Sequence, residues 1–279
     1  MEVKISKLAK YFQFGDEKIT ALKDVACEIE PGEFISIVGP SGCGKSTLLR
    51  LIAGLDVPDE GEVIVRGKVV KDAGPDRGVV FQEAALFPWL TVRLNVEFGL
   101  KLRGYDSKET FEKAEKYIKM VHLGKFVNAL PHQLSGGMKQ RVSIARALAL
   151  NPEILLMDEP FASLDAQTRT LLHIELQQIW EKTGKTIIFI THNVREAVTL
   201  SSRVFVMSAR PGTIVEEFKI DLASPRNESN TNIIYYQNKI MKVLRGEIEK
   251  VLQLEIDREY KISEDSVLPP ASVDMGGSI

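Results

Sequence analysis

The 279-residue chain is 44% hydrophobic and 27% charged, proportions of an ordinary globular protein long enough for one large or two small domains with a full core. Its formal net charge of −2 gives no electrostatic reason to expect nucleic acid as a partner. A membrane span, a leader and a disulfide scaffold are also not expected: no apolar run approaches spanning length, Met1-Glu2-Val3-Lys4-Ile5 lacks the basic-then-apolar layout of a signal peptide, and only Cys27 and Cys43 could pair.

In chain order, the alternation of Val3/Ile5 and Val25/Cys27/Ile29 predicts two strands of a small antiparallel β layer, joined across Phe14-Gly15-Asp16. Phe34-Ile35-Ser36-Ile37-Val38 reads as a buried strand, and residues 47–53 as a helix stopped by Gly54. Between them Gly39-Pro40-Ser41-Gly42-Cys43-Gly44-Lys45-Ser46-Thr47 satisfies G-x-x-x-x-G-K-[ST] in the strand, loop, helix setting that this pattern requires. Residues 61–70 predict a hairpin turning at Gly67-Lys68, and 77–82 another strand, in the same β layer or in the core sheet. From Thr91 to Leu150 the pattern is helical: Thr91 caps a helix through Leu102, and Ser107 caps another with Phe111, Ala114, Ile118 and Val121 on one face. Short apolar strands at 154–157, 186–190 and 203–207, with a helix around 171–180, then predict a mostly parallel sheet flanked by helices. A polar linker, Arg226-Asn227-Glu228-Ser229-Asn230, leads to a helix from about 233 to 254, whose stripe of Ile233, Ile240, Leu244, Ile248 and Leu252 is expected to pack on the core or on a second copy. Residues 263–279, with two prolines and a Gly-Gly pair, read as a disordered tail.

The glycine-rich loop carries the first chemistry. Its glycines let backbone N–H groups turn inward around a β-phosphate, and the helix N-terminus adds partial positive charge. Lys45 is placed to reach the β- and γ-phosphates, and the Ser46 hydroxyl to ligate Mg²⁺. These residues predict a nucleoside triphosphate site. A disulfide through Cys43 would obstruct it, so both cysteines are expected reduced, in the cytoplasm. Further on, Ile154-Leu155-Leu156-Met157-Asp158-Glu159 ends an apolar strand in two acids, at the carboxyl edge of a sheet where ligands bind. Asp158 is then the candidate to hold Mg²⁺, through water, and Glu159 the candidate to orient and deprotonate the attacking water.

Leu134-Ser135-Gly136-Gly137-Met138-Lys139-Gln140-Arg141 resembles the signature of ABC-type ATPases. As residues, these form a Ser-capped helix with two glycines in its first turn, a second anion-binding end. The resemblance runs from about Val3 to Ile220 with the motifs in order. It implies an α/β fold: a P-loop NTPase core of ABC type with an N-terminal antiparallel β layer and an inserted helical subdomain. It places the ATPase domain at 1–225 (helical subdomain about 88–150), a C-terminal helical extension at 226–262 and the tail at 263–279. ATP and Mg²⁺ are the implied ligands, bound in a head-to-tail dimer where Ser135, Gly136 and Gly137 of one subunit face the phosphate loop of the other. By the same resemblance Gln82 senses Mg²⁺ and the water, Ser163-Leu164-Asp165 crosses the interface, and His192 contacts the γ-phosphate. Lys45, Gln82, Glu159 and His192 are thus the implied catalytic set, and Ser46, Gln82 and Asp158 the implied metal set. Taken alone, His192 also reads as a helix cap or a surface residue. Adenine is expected on Phe12, with Tyr11 as second choice, although either ring could belong to the core of the β layer. Asn193 and Ser202 stand where the family often has aspartate, which puts local salt bridges in doubt.

Two further stretches, Phe81-Gln82-Glu83-Ala84-Ala85-Leu86-Phe87-Pro88-Trp89-Leu90-Thr91-Val92 and Val206-Met207-Ser208-Ala209-Arg210-Pro211-Gly212, look like the ATPases of nitrate, sulfonate and taurine importers. That likeness implies a second ATPase subunit (this chain or a paralogue), transmembrane permease subunits, an extracytoplasmic solute-binding protein acting indirectly, and a peripheral place on the cytoplasmic face of the membrane. An exporter ATPase, or an importer for another solute, would carry the same catalytic motifs. Residues 84–89 either dock a permease helix or fill the core of the helical insertion.

Overall fold

The computed structural model describes residues 1–223, 226 and 231–255. In chain order the first half holds β1 (Val3–Phe14), β2 (Glu17–Ile29), β3 (Phe34–Val38), α1 (Lys45–Ala53), β4 (Glu60–Val65), β5 (Lys68–Val69), β6 (Arg77–Val80), α2 (Val92–Leu102), α3 (Ser107–Met120) and α4 (Gly136–Ala149). The second holds β7 (Ile154–Asp158), α5 (Ala166–Thr183), β8 (Thr186–Ile190), α6 (Val194–Leu200), β9 (Arg203–Met207), β10 (Ile214–Lys219) and α7 (Thr231–Glu255).

Two sheets result. An antiparallel layer runs β2-β1-β4-β5, and a second sheet runs β10-β9-β3-β8-β7-β6, parallel except at β10. Its strands β3, β7, β8 and β9 are apolar at successive positions because both faces are covered. Ile35, Ile37, Leu156, Ile188 and Ile190 face α1 and the antiparallel layer, while Phe34, Leu155, Met157, Ile187 and Phe189 face a core shared with α2, α3, α4 and α5. The phosphate-loop helix is therefore sandwiched between the two sheets, and the helical insertion is packed on the opposite face.

Three local details differ from the sequence reading. The hairpin between β4 and β5 turns at Arg66 and Gly67, not Gly67-Lys68: both have positive φ (49° and 78°), as a two-residue turn matching the strand twist requires. The cap of α3 is Asp106, whose carboxylate accepts from Glu109 N at 2.9 Å, so Ser107 is already the first helical residue. Arg226 is not a solvated linker residue. Its side chain is buried and donates to the carbonyls of Val198 (2.7 Å), Ser201 (2.5 Å), Ile220 (3.3 Å) and Leu222 (2.9 Å), gathering the end of α6 and the exit of β10. Residues 227–230 and the tail at 263–279 lie outside the described residues.

The C-terminal helix packs on this same chain. Ile233, Ile240 and Leu244 of α7 are buried with Val194, Val198, Val204 and Val206 in a third cluster, and Ile248 packs against it.

Candidate nucleotide site

The phosphate loop leaves β3 at Val38 and enters α1 at Lys45. Gly44 sits at φ 100°, where a Cβ would also meet Leu22 Cδ2 at 2.7 Å, so neither the conformation nor the space admits a side chain. It is also the N-cap of α1 and supplies no side-chain cap, which leaves the first-turn N–H groups of this helix for a ligand. Lys45 is only 7% exposed and lies across the loop, its Nζ donating to the carbonyls of Gly39 and Pro40 at 2.9 Å each. The loop forms one wall of a cleft of about 410 Å³ that Ser41, Gly42, Gly44, Lys45, Ser46 and Thr47 line. Gly39, Pro40 and Cys43 complete the loop behind it, Cys43 buried with its thiol pushed up by that burial.

Opposite stand the acids. β7 pairs with β8 up to Asp158, and Ser46 Oγ donates to Asp158 Oδ1 at 3.0 Å. Burial raises the Asp158 carboxyl above its ordinary range, the neighbouring Glu159 adding to it against the hydrogen bond from Ser46. A half-desolvated carboxylate beside a hydroxyl oxygen is a hard oxygen pair that suits Mg²⁺, an ion commonly held by one or two protein oxygens and substrate phosphates. Ser46 and Asp158 would hold it, and bound there it would neutralise charge on the phosphates. Glu159 follows in the left-handed region at φ 43°, held there by its N–H to Ile190 O at 3.0 Å. Strain of this kind persists where the surroundings over-determine it, and it turns the Glu159 side chain to the cleft that it lines. His192 Nδ1 lies 3.0 Å from Glu159 Oε2. That hydrogen bond is the main cause lowering the Glu159 pKa and raising that of His192. An ionised Glu159 at neutral pH is a proton acceptor held in place by a neighbouring imidazole.

The loop carrying His192 is fixed from behind. Glu196 of α6 accepts from Thr191 Oγ1 and lies 2.6 Å from His173 Nε2 on α5, all three side chains buried. Asn193, at the position where aspartate was expected, caps α6 by accepting from Glu196 N at 3.2 Å. Ser202 donates to Phe34 O, and Arg203 makes its ion pairs with Glu33 and Glu217, both at 2.7 Å. The two departures therefore leave these local polar contacts made.

Phe12 lines the cleft, half exposed and available as a flat apolar face. Tyr11 is not among the lining residues; its hydroxyl donates to Glu60 at 2.7 Å. Gln82 is exposed on the bend after β6 and is also not among the residues lining the cleft. Its segment is tied to α4 instead: Gln140 donates to Phe81 O, and Arg146 to the carbonyls of Ala84 and Ala85. Residues 84–89 fill the core of the helical insertion only in part. Leu86 packs on the core, Phe87 stacks on Phe98 at 4.4 Å, and Trp89 is 72% exposed.

Ser135, Gly136 and Gly137 lie outside this cleft. Ser135 caps α4, accepting from Met138 N at 3.3 Å, and both it and Gly136 are exposed. A Cβ at Gly137 would come within 2.5 Å of Thr168 Cγ2, so the glycine lets α5 pack closely on the start of α4. Asp165 caps α5, accepting from Thr168 N at 2.9 Å, and this bond lowers its pKa. Three residues of the cleft were missed from the sequence: Ile19 and Ala21 of β2, and Arg210, which lines it from the loop after β9.

Comparisons with known proteins identify the family. The sequence model of the ABC transporter family matches residues 22–162. The chain is 53% identical over 91% of its length to an uncharacterized ABC transporter ATP-binding protein of Methanocaldococcus jannaschii, covering 95% of that protein. It is 49% identical over 88% of its length to the nitrate import ATP-binding protein NrtD of Synechocystis sp., covering 96% of it. Among solved structures, a dimeric ATP-binding cassette in a post-hydrolysis state with ADP and Pi superposes with a TM-score of 0.70 at 38% identity, over 79% of this chain and all of that one. The chain belongs to the ABC transporter ATP-binding family and is an ABC-type ATPase.

Proposed function

We propose that this chain is the ATP-hydrolysing subunit of an importer for a nitrate- or sulfonate-type anion, coupling ATP binding and hydrolysis in a head-to-tail dimer to transport through a separate membrane permease. The observation that carries the reading is the division of the nucleotide machinery within one chain. Lys45, Ser46 and Glu159 line one cleft, with Asp158 bonded to Ser46 and His192 to Glu159 behind it, while the Ser135 end of α4 is exposed outside it. A second copy, arranged head to tail, would bring that end to the γ-phosphate, as the dimeric form of the 38%-identical cassette supports. In this reading Glu159 is the general base, His192 and Lys45 contact the γ-phosphate, and Gln82 enters the site from its exposed bend when the dimer closes. The ATPase domain spans residues 1–225, and α7 (Thr231–Glu255) extends it on the C-terminal side.

The anion and the importer direction rest on the 49% identity to a nitrate import ATP-binding protein. Among the described residues no helix is long and apolar enough to cross a membrane; in this reading a permease supplies the span and holds the chain on the cytoplasmic face. Trp89 and Leu102, both well exposed on the helical insertion, offer that permease an apolar surface. The test is copurification with the permease, followed by ATP hydrolysis by the assembled complex in vesicles. Stimulation by a binding protein loaded with nitrate or an alkylsulfonate is the expected result. Stimulation only by a substrate added on the nucleotide side would make it an exporter subunit instead.

A further inference from the structure

We infer that Arg210 is a nucleotide-binding residue and that the C-terminal helix positions it through Glu247, an inference that rests on the cleft being the ATP site. The loop between β9 and β10 lies flat against the phosphate loop. A Cβ at Gly212 would fall 2.0 Å from Cys43 O, and Gly212 is paired to β2 through its N–H to Ala21 O (2.9 Å) and its carbonyl to Lys23 N (3.0 Å). The loop is also bonded within itself: Ser208 Oγ donates to Pro211 O, and Thr213 N donates to Ser208 Oγ, both at 2.9 Å. On this rigid support the Arg210 guanidinium reaches Gly42 O, donating from Nε at 3.2 Å and Nη2 at 3.0 Å. Its Nη1 makes no hydrogen bond to the described residues, and the side chain lines the same cleft as Phe12, Ile19 and Ala21.

The chemistry of that position selects an anion. A base stacked on Phe12 and phosphates on the loop put the ribose and polyphosphate along the wall between them. A guanidinium fixed at two of its nitrogens loses little further entropy when a remaining N–H meets a phosphate oxygen, and it brings a second cation beside Lys45.

α7 holds the residue before it. Glu247, 6% exposed, accepts from Ala209 N at 2.9 Å through Oε2, while its Oε1 pairs with Lys250 at 2.5 Å. Helix α7 also packs its apolar stripe on α6 and β9, and its Tyr236 hydroxyl accepts from Asp221 N at 3.3 Å. Glu247 is therefore a polar link between the C-terminal helix and the nucleotide cleft. It is a positioning residue, acting through Arg210.

Isothermal titration of the full chain with MgADP, which is not consumed, tests this. Arg210→Gln is expected to weaken MgADP by about 10- to 100-fold at low salt, the range of a lost charge-assisted hydrogen bond, with the deficit shrinking as salt rises. Glu247→Ala should weaken MgADP by a smaller factor and add nothing when combined with Arg210→Gln, because both act through one guanidinium. Glu247→Gln keeps an acceptor for Ala209 N and should recover most of the affinity, which covers the case in which the alanine variant folds poorly. Arg210→Gln within twofold of the wild type, a salt-independent deficit, or losses that multiply in the double variant would each overturn the inference. Lys45→Ala is the control: if it too binds like the wild type, the nucleotide-site reading falls, whereas if it alone loses binding only the role of Arg210 does.

Discussion

The starts of α1 and α4 are two versions of one device, a glycine-bearing helix N-terminus offered to an anion, and they differ in what surrounds them. Gly44 supplies no cap to α1, and Lys45, Ser46, Asp158 and Glu159 gather around that end. Ser135 caps α4 with its own hydroxyl, and this end stands exposed with no acid or lysine bonded to it among the described residues. In the proposed reading the α1 end binds a nucleotide by itself. The α4 end has donors but no acid or lysine bonded to it among the described residues, so in that reading it acts only when the second subunit brings a phosphate to it.

The largest test of this asymmetry is Glu159→Gln. It removes the proton acceptor but keeps the shape and hydrogen bonding of the side chain, so hydrolysis should fall by roughly 10²–10⁴-fold while MgATP still binds. Slow hydrolysis should trap the state in which both ends hold one γ-phosphate. Size-exclusion chromatography should then show a dimer with ATP but not ADP, and adding Ser135→Arg should abolish the shift by filling the facing site. A variant that binds ATP and stays monomeric at high concentration would reduce the protein to a single-site ATPase. Next in size, Lys45→Ala should weaken MgATP by about 100-fold or more without unfolding the chain, since among the described residues Lys45 bonds only to loop carbonyls and the Cys43 thiol. Unchanged melting with lost nucleotide binding is the expected pair of results.

The Glu159–His192 pair carries a pH signature confined to the α1 side. The His192 pKa is raised, so the stability it contributes is fully present below the ordinary imidazole value and is lost as pH rises through the raised folded value. The Glu159 pKa is lowered, so its contribution is present above the ordinary carboxylate value and is lost as pH falls through the lowered folded one. The pair is thus fully charged between those two folded values. In an NMR titration His192 should titrate above the ordinary imidazole value in the wild type and fall back toward it in Glu159→Gln. An unchanged midpoint would mean that the 3.0 Å contact does not persist in solution.

Most of this site was legible because it is built locally. The loop from Gly39 to Thr47 dictates its own backbone, and four apolar residues ahead of Asp158 and Glu159 place the acids at a sheet edge whatever the rest of the chain does. What was hidden depends on distance in sequence. Arg210 is an exposed residue of an irregular loop, and its partner Gly42 lies 168 positions away. Arg226 has the composition of a linker, yet every acceptor its guanidinium meets among the described residues is a carbonyl where α6 ends or β10 exits. The strand β10, with exposed Glu216 and Glu217, lacks the apolar alternation that would mark it and exists because β9 offers an edge. Asp106 and Ser107 are both good caps, and only the geometry of the turn chooses between them.

The smallest expected effect bears most directly on the α4 end. Ser135 accepts from Met138 N at 3.3 Å, long for a hydroxyl cap, so Ser135→Ala should cost about 0.5–1 kcal/mol of stability and leave MgADP binding to the monomer unchanged. If the hydroxyl serves only as a cap, that is its whole consequence. If it also donates to a γ-phosphate held by the opposite subunit, the same substitution in a Glu159→Gln background must shift the ATP-dependent dimer to higher protein concentration, because the donor is lost from the closed state alone. Analytical ultracentrifugation with ATP, comparing Glu159→Gln with and without Ser135→Ala, separates these cases. A dimer equally tight whether or not the Ser135 hydroxyl is present would leave the helix end, through its backbone N–H groups, as the only part of the signature that reads the nucleotide.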